Sequence, residues 1–599
     1  MAWYDEAVFY HIYPLGLAGA PKQNDYGEPV HRLNPLLPWV DHIKEIGGSA
    51  LYIGPLFESV GHGYETTDYK KLDSRLGTNE DLTAFVAYCH EQGIKVIFDG
   101  VFNHTGRDFF AFKDIQANRE NSHYKDWYCN VNFWGNNEYN DGFSYDNWGG
   151  YNLLVKLNQK NPAVVDYICD VIRFWVSEFD VDGIRLDAAD VLDFDFMKAL
   201  RRTANEVKPD FWLMGEVIHG DYSRWVNGET LHSVTNYTLH KALYSGHNDH
   251  NYFEIAHTVR RLQNMGTLKL YNFVDNHDVE RIYTKLTNKA HFAPVHVLLY
   301  TLPGVPSIYY GSEFGIEGRK EYGSDDSLRP ALNIEDYKDS VKTNPCTALI
   351  AALGKVRQAV PALSYGSYDE LMLTNRQFAY ARDLDGTRVI VSVNNDDAPA
   401  GMHLAAGNCT AYIGALSGEK VSVQDGHINI TQPANSGEIW VPEGTDLDVK
   451  PVKVVTKTDS EAKTNTEDKA ASETATDAKG NKEAEPKIES KESKDIVTAT
   501  ESADAKKNTT DIEKNTTAAN EVKDSAKDAS AQAAADTPVD PETITVDWSK
   551  SPESMTVPEL QAAILAKLAG NGPVDAQMKK TVVDNIWHDS LVNWLKSFR

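Results

Sequence analysis

From Ala7 to about Pro361, short runs rich in β-branched and aromatic residues alternate with longer stretches whose apolar positions recur every three or four residues. That alternation marks repeated βα units, in which parallel strands are covered by helices. The strand-like runs are "AVFYHIYP", "SALYIGP", "IKVIFDG", "VDGIRLD", "FWLMGEV", "HSVTNY", "LYNFVD" and "PSIYYG". Between them, Asp81 to Gln92, Asn161 to Glu178 and Phe194 to Lys208 carry helical periodicity. Eight such strands with intervening helices predict an α/β fold, a (β/α)8 TIM barrel over residues 1–362. One connection exceeds this plan: after "DGVFNH" about fifty residues rich in Asn, Gly, Tyr and Trp precede the next helix. Insertions of that length in a compact domain are usually functional, so a small subdomain over about 104–155 is expected to overhang the barrel mouth.

Past the barrel the pattern shifts to short alternating runs with turn punctuation, "RDLDGTRVIVSVNNDDAP", "SVQDGHINI" and "SGEIWVPEG", which predict an antiparallel β-sandwich over 363–444. Residues 445–545 are largely Lys, Asp, Glu, Ala, Thr, Ser and Asn, without an aromatic. Such a composition buries too little apolar area to offset chain entropy and predicts a disordered linker. Residues 546–599 return to helical character. "TVPELQAAILAKLAG" has a proline early in a helix, and Met578, Val582, Ile586, Trp587, Leu591, Trp594, Leu595 and Phe598 form one stripe. A small helical hairpin is expected, its stripe being either its own core or a face that docks a partner or an envelope component.

A formal charge of −28 argues against nucleic-acid and anionic-membrane partners and suits a neutral substrate. The start "MAWYDEAVFYHIYP" has no basic region followed by an apolar core, and no stretch reaches the roughly 18–20 apolar residues of a membrane span. A cytoplasmic protein is expected. Cys89, Cys129, Cys169, Cys346 and Cys409 are scattered without a CxxC pair, so no disulfide framework is predicted.

Reactive residues of such barrels sit at the carboxyl ends of strands. Asp187 follows "GIRL", Glu216 ends "WLMG", and Asp278 closes "FVDNHD". Two carboxyl groups are the minimum for cleaving a glycosidic bond: one gives a proton to the leaving oxygen while the other attacks or activates water. A third can stabilise the developing positive charge. Residues i and i+2 of a strand share a face, so Arg185 is placed to bond and orient Asp187. Singly, each acid also reads as a buried ion-pair partner; their company favours chemistry.

"DGVFNH", "GIRLDAAD", "GEV" and "FVDNHD" resemble, in order, the four signature regions of the α-amylase superfamily of retaining α-glycosidases, and "GVPSIYYGSEFG" resembles its eighth strand. The likeness extends over about residues 5 to 444. It implies Asp187 as nucleophile, Glu216 as general acid/base and Asp278 as transition-state stabiliser. Arg185, His104 and His277 would bind the sugar at the cleavage point, Asp99 would steady Arg185, and Tyr64 of "HGYETTDY" would stack on the sugar ring. Arg329 in "SLRPAL" is either a further sugar ligand or a surface salt bridge. Asn103 matches a calcium ligand of many relatives, but the oversized loop shows no partner carboxylate, so no cofactor is assigned and calcium is the one candidate.

"LLVKLN" and "GEVIHGDYSRWVNG" are similar to the cyclomaltodextrinase, neopullulanase and maltogenic amylase branch. That branch's N-terminal β-domain is missing from the pattern. A Lys-His pair common after the nucleophile is here Asp190 and Val191, and Ile218 stands for a tryptophan. Short α-1,4-linked malto-oligosaccharides or cyclodextrins are the substrates this implies. The competing readings are an α-glucanotransferase or sugar phosphorylase on the same fold, and a non-catalytic carbohydrate-binding or scaffold protein.

Overall fold

A computed structural model describes residues 2–266, 268–321, 324–449, 451–452, 546, 550–551, 555–570 and 595. The eight expected runs all form strands: β1 (Phe9–Ile12), β2 (Ala50–Ile53), β3 (Lys95–Gly100), β4 (Gly183–Leu186), β5 (Trp212–Gly215), β6 (Ser233–Val234), β7 (Tyr271–Asn272) and β8 (Val305–Tyr309). They pair in parallel in the order β6-β5-β4-β3-β2-β1-β8-β7. A parallel bridge between Thr235 and Tyr271 joins the two outer strands and closes the cylinder.

Strand alternation sorts the side chains into two layers. Tyr10, Leu51, Val96, Phe98, Ile184 and Leu213 belong to the core beneath the helices. Phe9, Ala50, Tyr52, Ile97, Trp212 and Met214 form a separate buried cluster inside the barrel. This inner layer is apolar and aromatic at the start of the strands and turns polar towards their ends, at His11, Asp99 and Arg185.

The helices begin where local chemistry dictates. Asn161 accepts from the amide of Ala163 ahead of Pro162–Phe179, and Asp193 accepts from the amides of Asp195 and Phe196 ahead of Phe194–Val207. Both caps satisfy amides that the first turn leaves unpaired. The expected helix near Asp81 to Gln92 runs Asn79–Glu91. Two antiparallel pieces decorate the mouth. In the oversized connection, His104–Thr105 and Asn147–Trp148 pair with Tyr151–Lys156, and helix Phe110–Asn118 lies between them in sequence. A hairpin of Phe57–Ser59 and Thr66–Leu72 was not predicted, because its glycines and charges break the alternation that marks a strand.

After the barrel, six antiparallel strands form one sheet in the order Ser367–Leu373, Gln377–Leu384, Thr387–Asn394, Ser436–Pro442, Ala411–Gly414 and Lys420–Ser422. A second pair, Ala400–Ala405 with His427–Gln432, shares with it a core of Ala379, Ile390, Leu404, Tyr412, Ile428 and Trp440. The described residues up to Val452 belong to one compact unit. In a second unit, helix Val557–Gly570 buries Leu560, Ala563 and Ile564 together with Met555 and Leu595. The start of the linker expected at 445–545 is instead ordered against the C-terminal sheet: Leu447, Val449 and Val452 pack on the core, and the amide of Val452 donates to Leu416 O at 2.8 Å, so this apolar alternation extends the folded unit past 444. The rest of that linker and the stripe from Met578 to Phe598, apart from Leu595, lie outside the described residues. No described helix is long and apolar enough to cross a membrane.

Candidate active site

Strand register brings the predicted residues together. Asp99 and Arg185 are direct neighbours across β3 and β4, and Gly215 of β5 is level with Leu186, so Glu216 comes level with Asp187. Arg185 is 3% exposed and joins all three acids. Its Nη1 lies 2.8 Å from Asp99 Oδ1 and 2.9 Å from Asp187 Oδ1, and its Nη2 lies 2.9 Å from Glu216 Oε2. Glu216 needs a glycine before it: a Cβ on Gly215 would stand 2.5 Å from Leu231 and 2.8 Å from Ala189. Ala188, just after Asp187, adopts a left-handed backbone (φ 47°), a conformation that costs a non-glycine residue of order 1 kcal/mol. In that conformation its amide donates to Glu216 Oε2 at 3.0 Å.

Asp187, Glu216 and Asp278 all line one cavity of about 330 Å³ at the carboxyl ends of the strands. Burial raises the pKa of Asp187 and of Glu216; Arg185 works against this, while neighbouring acids add to it. The pair therefore keeps a proton at a pH where free carboxyls have lost theirs. Asp278 behaves oppositely. Burial opposes its ionisation, but the fields of His277, Arg329, Arg185 and Lys320 hold it at about 2. Burial pushes His277 itself down to about 3, so at neutral pH the standing cations are Arg329, Arg185 and Lys320. Arg329 Nη2 is 2.7 Å from Asp278 Oδ1 and 3.1 Å from Asp325 Oδ2, and its guanidinium lies 4.7 Å from the centre of the Tyr13 ring. Arg329 thus lines the cavity and is salt-bridged there to the third acid and to Asp325.

The other expected residues differ in how they reach the cavity. Tyr64 lines it, and its hydroxyl donates to Asp99 Oδ2 at 3.2 Å and contacts His277 Nε2. Asp99 also accepts from Tyr52 at 2.8 Å, which fixes its carboxylate for Arg185. His104 lines the cavity as well, but its Nε2 is 3.1 Å from the carbonyl of Tyr64 and its Nδ1 is 3.2 Å from Asn103 Nδ2. Both ring nitrogens are thus engaged within the protein. His277 is 1% exposed and sits behind the wall, its ring parallel to those of Tyr13 and Tyr64. The buried Oδ1 of Asn103 has no partner, and among the described residues no cluster of three or more His, Cys, Asp or Glu side chains is arranged to hold a metal.

Several wall residues carried no sequence signal of their own. Trp148 and Leu154 reach the cavity from the inserted connection, and Asp325 from the segment before Arg329. Tyr237 accepts from Asn276 at 3.2 Å and places its hydroxyl 3.4 Å from Glu216 Oε1. Asp190 and Ile218, noted as departures from the family pattern, both line the cavity.

The family description "Alpha amylase, catalytic domain" matches residues 32–347. The chain belongs to the α-amylase family. A cyclomaltodextrinase of Bacillus sp. is 31% identical over 422 residues, 66% of this chain and 74% of that protein. A cyclomaltodextrinase of Thermoanaerobacter pseudethanolicus is 32% identical over 419 residues, 66% of this chain and 71% of that one. Among solved structures, a cyclomaltodextrinase at 26% identity aligns over 73% of this chain and 78% of its own, with a TM-score of 0.65. This α-amylase family member is accordingly a glycoside hydrolase.

Proposed function

We infer that the enzyme cleaves α-1,4-glucosidic bonds of short malto-oligosaccharides or cyclodextrins by double displacement. Asp187 attacks the anomeric carbon while Glu216 passes a proton to the departing glycosidic oxygen. Glu216 then takes a proton from water, which displaces Asp187 from the sugar, so two inversions give net retention. Asp278, ionised at neutral pH, faces the positive charge that develops on the ring. Tyr64 supplies a ring for the sugar to pack on, with His104, Arg329 and, after local movement, His277 as polar neighbours.

One observation carries this reading: a single buried guanidinium bonds both Asp187 and Glu216 in a cavity they share with an ionised Asp278. Arg185 keeps negative charge on a pair that burial would otherwise neutralise, leaving one anionic partner to attack and one proton to donate. Both carboxyls within reach of one guanidinium are compatible with the separation of about 5–5.5 Å found in retaining enzymes. The small cavity, with Ile218 and Asp190 on its wall, suits short substrates better than polymeric starch.

The test is a panel of maltotetraose, β-cyclodextrin, pullulan, and sucrose with phosphate, read by product mass. Shorter glucans from the first two, with the α-anomer fresh by NMR, are expected. Glycosyl phosphate or lengthened glucans as the main product would move the protein to the transferases. A fresh β-anomer would remove Asp187 as nucleophile.

A further inference from the structure

A second cavity of about 480 Å³ lies at the opposite end of the barrel, within the roughly 300–1,000 Å³ range of small-molecule sites. Leu239, Val259 and Leu262 line it from the helices Tyr237–Asn248 and Tyr252–Asn264, and Leu270 and Leu302 from the approaches to β7 and β8. Its far wall is the edge of the C-terminal sheet, where Tyr368 and Arg382 face each other across paired strands.

That wall is electrically incomplete. Arg382 is 2% exposed, and its guanidinium bonds only carbonyls: Nη1 to Thr301 O at 2.5 Å, and Nη2 and Nε to Gly366 O at 2.9 and 3.3 Å. Behind it Arg357, 1% exposed, bonds the carbonyls of Tyr300 and Gly304, both at 2.7 Å. Among the described residues neither has a carboxylate in ion-pairing contact. Burial lowers both pKa values, Arg382 to about 10 and Arg357 to about 9, the latter helped by repulsion from Arg382. Buried charges are ordinarily paired, so two like charges without a counter-ion are an exception that calls for one. The other cation on the wall, Lys269, is already matched by Asp5 at 2.9 Å. Two hydroxyls add to the picture: Ser364 and Tyr368 are among the residues around the cavity, and their hydroxyl oxygens, enclosed just behind its surface, have no hydrogen-bond partner.

We propose that this cavity binds an aliphatic monocarboxylate, its chain against the leucine wall and its carboxylate against Arg382, Ser364 and Tyr368. A planar, singly charged head suits the guanidinium of Arg382, a lining residue that pairs with no carboxylate among the described residues. The apolar body replaces water along side chains that cannot bond it. No bond to the substrate cavity is involved, so the site stands independently of the reaction inferred above.

The probe is sodium decanoate below its micellar concentration, titrated calorimetrically into the full-length protein, with acetate and 1-decanol as controls. One saturable decanoate site is expected, with acetate and decanol each at least about tenfold weaker, since acetate lacks the buried chain and decanol the charged hydrogen bond. Val259→Phe, which fills the cavity from its apolar side, and Arg382→Met should each weaken decanoate by at least about tenfold. Absence of saturable decanoate uptake overturns the proposal. So does acetate or decanol binding as tightly as decanoate, or unchanged decanoate affinity in a folded Val259→Phe protein. The wild-type comparison of the three probes decides the matter even if a variant fails to fold.

Discussion

Asp182 and Asp187 bracket the same strand, one before β4 and one after it, and their surroundings are opposite. Asp182 is a buried carboxylate among three basic side chains, His90 Nε2 at 2.7 Å, Lys95 Nζ at 2.9 Å and Lys208 Nζ at 2.9 Å, with the amide of Val96 at 3.0 Å; its one carboxylate neighbour on them, Asp180, is exposed to water. Burial opposes its ionisation, yet those bonds hold its pKa well below the usual carboxylate range. Asp187 has one guanidinium to share with Asp99 and Glu216, and its pKa rises. The ratio of cations to carboxylates reverses along one strand. Where cations are in excess the charge stabilises the fold; where carboxylates are in excess a proton is retained for use.

The linkage signs follow. The depressed pKa of Asp182 contributes stability that is present above about pH 4 and is lost as pH falls through its folded pKa. The raised pair at the mouth costs stability as pH rises above about 4 towards its folded pKa values, because the unfolded chain ionises more readily.

The largest expected effect sharpens this contrast. Asp187→Asn should lower kcat/KM by at least about 10⁴-fold while leaving Tm at pH 7 equal or higher, since it removes a disfavoured charge. Activity above about a hundredth of wild type would show that Asp187 is not the nucleophile. Next, Arg185→Met leaves Asp99, Asp187 and Glu216 without their shared cation. Urea unfolding should report a loss of about 3–5 kcal/mol, larger at pH 8 than at pH 5, because protonation relieves uncompensated carboxylates. An equal loss at both pH values would break the account of the mouth. The smallest effect belongs to Asp182→Asn, whose lysine partners are partly solvated. It should cost about 2 kcal/mol at neutral pH, fade in acid, and leave the turnover of folded enzyme within about twofold. A large loss of kcat there would erase the division of labour between the strand's two ends.

The eight strands were legible because each carries its own β-rich run, and the acids because each sits at the end of one. Arg185 with Asp187 was legible because alternation within a strand is a local rule. Its bond to Glu216 was not: that depends on the register between β4 and β5, which no single segment encodes. Arg329 bonds Asp278 across a long sequence separation, and Trp148 reaches the wall from an insertion without periodicity. The hydrogen bonds that occupy both nitrogens of His104 could likewise not be read from its motif. The two buried arginines beneath the barrel look like ordinary helix and strand positions in the sequence; that they bond carbonyls, and no carboxylate among the described residues, is visible only once the chain is folded.

The cylinder has a seam. Between its two shortest strands the ring closes through the Thr235–Tyr271 bridge, the amide of Asn236 on the carbonyl of Tyr271 at 2.9 Å, and the Asn236 side-chain amide on Asn272 at 2.8 Å. Elsewhere three or four residue pairs knit most neighbouring strands. Gentle warming will part the staves there first, and the stave that swings away leads to Asp278, while Asp187 and Glu216 ride on the well-laced side. Such a molecule loses the meeting of its three acids while most of its helix is still intact, so, on the reaction inferred above, inactivation should run ahead of melting.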